Sequence, residues 1–254
     1  MDINLTILIT SVILGISTSY LGSLILSRRM TLVADPLSHL ALPGALIGLI
    51  FGFDVSLSAF IFLIFSAFII WYLEKFTKLS IETIIAILFS SSLAFTFLFI
   101  EEEKIHEILI GDIFKINFSE AVIVIVISLI LLIVLVFTYD KLLLISISEE
   151  LAYSEKINVR KYQSIYLISL SLLVALGIKF VGGLLISGLI ALLAASARNL
   201  SNNLKNYKLL SLFFGFFSSF TGVIICYSLN ITSGAVIVIV NFLIFLITLI
   251  LKNR

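Results

Sequence analysis

Apolar residues run in nine long stretches separated by polar breaks, most of them near the roughly 20 residues that a helix needs to cross a bilayer. The pattern predicts helices over 3–26, 37–53, 55–73, 80–100, 120–138, 163–177, 180–197, 208–228 and 233–251. The second is short, and only Gly52, Phe53 and Asp54 part it from the third, so eight spans with a re-entrant element is the alternative count. The first follows Met1 and Asp2 with neither a basic leader nor a small-residue cleavage site, and is expected to be a retained span.

Composition strengthens this reading. Of 254 residues, 61% are hydrophobic and 12% charged, against about 45–50% and about 25% in soluble domains. An ordinary soluble protein is excluded, and one all-α polytopic membrane domain over 1–254 is expected. A net charge of +1 gives no basic surplus for nucleic acid. Thirteen of the sixteen Lys and Arg fall in alternate breaks, leaving Lys104, Lys115 and Lys179 in the other set. Because cytoplasmic loops carry the basic excess, the N-terminus is expected outside and the C-terminus inside. Cys226, the one cysteine of the sequence, cannot make an intrachain disulfide and reads as a buried thiol.

Two breaks are longer than a turn requires. The outer one, 101–119, places His106 among Glu101, Glu102, Glu103, Glu107 and Asp112, and its ILIGDIF stretch suits a short helix across the mouth. It reads either as a solvated acidic loop or as a surface that attracts cations or a delivery protein. The inner one, 140–162, carries EELAYSEKINVRK, in which Glu149, Glu150, Leu151, Ala152 and Ser154 suit a short amphipathic helix. Such a helix is either a docking element for a soluble partner or a solvated connector.

Small residues let helices approach closely in lipid. Gly44, Gly48 and Gly52 recur at four-residue steps, as do Gly183, Ser187, Ala191 and Ala195, so both segments are expected to pack inside the bundle. Ionisable groups within spans are costly and point to function. The strongest pair is Asp35 and His39 in ADPLSHLALPG. With proline after it, Asp35 is expected to cap a helix, which sets His39 one turn away on the same face. Carboxylate and imidazole suit zinc, manganese or iron, and two ligands suit an ion in transit better than a structural site. A two-fold homodimer would bring two such pairs together. The alternative is that Asp35 only caps and His39 bonds a neighbour. Gly44 lies five residues past His39, about 140° round a regular helix, so the glycine face is free to pack elsewhere unless Pro43 bends the chain. Glu82 and Asn241 read as capping or cross-linking residues.

There is no GxxxxGK[ST] phosphate loop, so the chain does not itself use ATP in that manner. A proton-linked secondary transporter using Asp35 and His39 is the first alternative to a channel driven by a separate ATPase. An intramembrane enzyme would need Ser38 and His39, which point about 100° apart on a helix and make a poor catalytic pair.

Several segments in order resemble the permease subunit of the zinc/manganese/iron class of ABC transporters. SRRMTLVADPLSHLALPGALIG at 27–48 is the most specific, joined by ILIGDIF at 108–114, EELAYSEKINV at 149–159, KFVGGLLISGLIALLAASAR at 179–198 and SLNITSGAVIV at 228–238. The resemblance implies a fold similar to the cobalamin and siderophore importer permeases, in a bacterial cytoplasmic membrane. It implies a permease homodimer, two cytoplasmic ATP-binding subunits, an extracytoplasmic metal-binding protein, and a divalent metal as transported substrate with no permanent cofactor. It further implies that Asp35 and His39 line the metal pathway and that 149–159 couples to the ATPase. Two positions depart from the family pattern: Lys156 stands where glycine is usual, and Leu193 where proline is usual. The second implies a straighter seventh helix.

Overall fold

The computed structural model describes residues 5–31, 33–77, 79–99, 114, 116–182, 185–229, 231 and 233–252. Its elements are α1 (Leu5–Ser27), α2 (Ala34–His39), α3 (Leu42–Phe51), α4 (Val55–Thr77), α5 (Ile81–Phe99), α6 (Phe118–Ile147), α7 (Glu149–Ser154), α8 (Val159–Val181), α9 (Ile186–Leu200), α10 (Leu204–Leu229) and α11 (Ser233–Lys252). Eight stretches among the described residues are long and apolar enough to cross a membrane, with α2 and α3 together forming one of them. The expected seventh span is the exception: α9 has 15 residues, about 22 Å of helix, short of the roughly 30 Å hydrocarbon core. With Leu193 in place of proline, α9 runs unbroken.

α6 is longer than expected, at 30 residues. Asn117 and Glu120 form a reciprocal capping box at its start, the Asn117 amide donating to Glu120 Oε2 at 3.2 Å. At its other end the helix continues through Asp140 and Lys141, whose charges pair with neighbouring helices: Lys208 donates to Asp140, and Lys141 Nζ donates to the Tyr162 hydroxyl at 2.8 Å. The inner connection thus shrinks from 140–162 to 148–158 with α7 inside it, because a helix ladder does not stop where the hydrocarbon does.

α1 is the central pillar, packed against α6, α8, α9 and α10. Its hydroxyls tie it to two of them: Ser17 Oγ donates to Ser128 O at 3.1 Å on α6, and Ser19 Oγ donates to Ser211 O at 2.7 Å on α10. The Tyr207 hydroxyl adds a bond to Ser23 O at 3.3 Å. Along α1, the closest backbone approach is at Gly22, where a Cβ would lie 2.2 Å from Ile190 O on α9. A methyl group there must push two backbones apart. Gly22→Ala is expected to destabilise the permease by about 1–3 kcal/mol, read as a lower melting temperature in detergent.

Candidate functional site

The chain is already helical at Val33, with φ −73° and ψ −31°, and no side chain caps α2. Asp35 is therefore inside the first turn and not its cap, a correction to the expected role. Its carboxylate is half-buried and accepts from Ser187 Oγ on α9 at 3.5 Å. His39, the last residue of α2, is 9% exposed, and its Nδ1 has no hydrogen-bond partner. Phe89 of α5 lies beside the imidazole, with ring centroids 5.3 Å apart. Asp35 and His39 stay one turn apart on one short helix, wedged among α5, α8 and α9. Among the described residues no group of three or more His, Cys, Asp or Glu that could hold a metal ion forms, so this pair has no third such side chain beside it.

The expected continuous helix through 37–53 is instead broken at Leu40 and Ala41, with Pro43 in the first turn of α3. The break sends the two faces to different neighbours. Gly44 and Gly48 pack on α4, where a Cβ at Gly44 would lie 2.4 Å from Phe62 Cβ and one at Gly48 would lie 3.0 Å from Ser58 Oγ. Gly52 is not a packing residue: nothing lies within 4 Å of its would-be Cβ. It ends α3 at φ 71°, a left-handed cap that glycine adopts without steric cost. Ser187 turns its hydroxyl to Asp35, a role that small-residue spacing did not signal. Gly183, His106 and Asp112 lie outside the described residues. Glu82 is exposed in the first turn of α5. Asn241 does cross-link helices, accepting from Ser218, and Cys226 is buried.

The expected inner amphipathic helix is α7, over Glu149–Ser154. Ser148 caps it, its side chain accepting from the Leu151 amide at 3.3 Å. Glu149, Glu150, Leu151 and Ser154 face outward, as does Tyr153, which sequence reasoning had not singled out. Ala152 does not: it is fully buried against Ile145 and Val159, so it seats the helix instead of meeting a partner. Beside α7 opens a cleft of about 560 Å³ whose lining includes Trp71, Glu74, Glu149, Tyr153, Arg160 and Gln163. The Gln163 amide donates to Glu149 at 3.2 Å across this wall.

α7 ends in a Schellman turn: the Ile157 amide reaches Ala152 O at 2.9 Å and the Lys156 amide reaches Tyr153 O at 3.0 Å. The turn needs a left-handed residue, and Lys156 occupies it at φ 58°. That explains why glycine is usual here and what the departure costs, about 1 kcal/mol of backbone strain. Lys156→Gly is expected to stabilise the turn by about that amount, seen as slower hydrogen exchange at the Ile157 amide.

A broken helix carrying an Asp/His pair lies in a bundle of eight candidate membrane spans, and the short helix α7 leaves most of its side chains exposed, an arrangement that fits a membrane permease. The chain belongs to the ABC 3 transport family, which it matches over residues 1–252. It is 31% identical over 245 residues to the manganese import system permease protein ScaB of Streptococcus parasanguinis, covering 95% of this chain and 88% of that one. It is 27% identical over 252 residues to the high-affinity zinc uptake system membrane protein ZnuB of Haemophilus influenzae, covering 97% of each. The solved structure of PsaBC from Streptococcus pneumoniae in complex with Fab superposes with a TM-score of 0.79 at 30% identity, over 96% of this chain and 90% of that one. The chain is thus a metal-ion ABC transporter permease, as the resemblance of 27–48 implied. The comparisons lend no support to the proton-coupled alternative.

Proposed function

We propose that two copies of this chain form the membrane channel of an importer for zinc, manganese or iron, driven by two cytoplasmic ATP-binding subunits and fed by an extracytoplasmic metal-binding protein. Asp35 and His39 coordinate the ion in transit. The observation that carries this is the buried Nδ1 of His39, left without a hydrogen-bond partner one turn from a carboxylate inside the bundle. An unsatisfied imidazole nitrogen is costly to bury, and a passing cation supplies what it lacks. Manganese and zinc appear in the names of the relatives, and the N/O ligand pair accepts iron as well. Two ligands per copy hold an ion weakly enough to release it. The charge pattern supports an outer N-terminus and cytoplasmic C-terminus in a bacterial inner membrane.

The test is total zinc, manganese and iron in cells lacking this chain, supplied with wild type or His39→Ala at equal membrane level. Wild type is expected to restore one metal and His39→Ala to fall at least tenfold short of it. Full restoration by His39→Ala would make the histidine structural.

α7 docks the ATP-binding subunit through Glu149, Glu150, Leu151, Tyr153 and Ser154, and the adjoining cleft receives part of the same partner. Glu150→Ala and Leu151→Arg are expected to cut ATPase stimulation by the metal-binding protein at least fivefold while the permease elutes unchanged. Undiminished stimulation in both would place coupling elsewhere. Ala152→Arg should instead unseat α7, since it forces a charged chain into the Ile145 and Val159 contact.

A further inference from the structure

Pro43 has no amide hydrogen, so the carbonyl of His39, four residues earlier, loses its helical donor. Within a bilayer no water is at hand to replace it, and an unsatisfied backbone group there is strongly disfavoured. The donor comes from another helix: Ser92 Oγ on α5 lies 3.0 Å from His39 O. Ser92 is buried at 7% exposure. Its two neighbours behave otherwise, Ser90 and Ser91 donating back to their own helix at Ala86 O and Ile87 O. Three residues before Ser92, on the same face, Phe89 lies against the His39 ring. One face of α5 therefore holds His39 twice, by its backbone and by its imidazole.

We propose that Ser92 is a positioning residue of the ion path, setting the direction of the His39 imidazole through the carbonyl that Pro43 leaves free. The inference rests on the reading of Asp35 and His39 as transit ligands. The next two residues, Leu40 and Ala41, are in turns. Loss of the hydroxyl frees that end to rotate, and the ring with it.

The probe is cobalt(II), added to the intact detergent-purified importer and followed by its d–d absorption. His39→Ala is expected to abolish the imidazole-dependent band. Ser92→Ala is expected to shift the band and weaken cobalt binding at least fivefold, and Ser92→Thr, which keeps the hydroxyl, to restore both within twofold. If Ser92→Ala does not assemble, Ser92→Cys, a near-isosteric but weaker donor, is expected to show the same shift and a smaller loss. A wild-type spectrum and affinity in Ser92→Ala or Ser92→Cys overturns the positioning role while a lost band in His39→Ala leaves the pathway intact. A band that is absent in wild type, or unchanged in His39→Ala, overturns the pathway reading itself.

Discussion

A helix that stops inside a membrane must find other partners for the backbone groups it frees, because the hydrocarbon offers none. That constraint shapes the region around α2. The interruption at Leu40 and Ala41 is bridged by tighter bonds, the Leu40 amide to Leu37 O and the Ala41 amide to Ser38 O, each at 3.2 Å. Pro43 removes the donor that His39 O would otherwise have, and α5 supplies one. The break lets α2 carry Asp35 and His39 toward α9 and α5 while α3 carries its glycines toward α4. A continuous helix would fix the angle between those two faces.

The pillar α1 meets the same constraint differently. It keeps its ladder whole and uses side-chain hydroxyls as cross-links, to α6 through Ser17 and to α10 through Ser19. In lipid, apolar side chains gain little by leaving the solvent, so close packing and such hydrogen bonds hold helices together. Gly22 brings α1 against the backbone of α9 at Ile190, which is the helix that presents Ser187 to Asp35. The position of Asp35 is thereby referred to the central helix of the bundle.

The spans were legible because the bilayer demands long apolar runs, and that demand writes itself directly into residue types. The Asp35 and His39 pair was legible for the converse reason, since charge within a span stands out. Less was visible where the physics is not periodic. Pro43 signalled a possible bend, but an isolated proline does not say whether a helix bends or stops. α6 ran past its expected end because Asp140 and Lys141 leave the hydrocarbon without leaving the helix. Gly52 followed a packing rhythm and turned out to be a cap, since four-residue spacing cannot separate a contact from a turn. Ala152 lay in an amphipathic segment whose buried side is only one residue wide, too narrow for pattern to resolve. Ser92 carried no signal and Ser187 only a packing rhythm: periodicity tells which face a hydroxyl occupies, not which acceptor across the gap it meets.

The two ends of α2 answer to different helices. Asp35 is held from α9 by Ser187, and His39 from α5 by Ser92 and Phe89. A short helix tied in this way reports the relative position of its two neighbours. Any motion that separates α5 from α9 pulls on both side chains at once, because side chains one turn apart on six residues cannot adjust independently of their helix. An ion held by this pair alone, as proposed, would be sensitive to small displacements of either side chain. On the proposed reading, weak two-point coordination on a tethered segment turns a modest helix movement into a change of affinity, which a channel that must both accept and release its cargo requires.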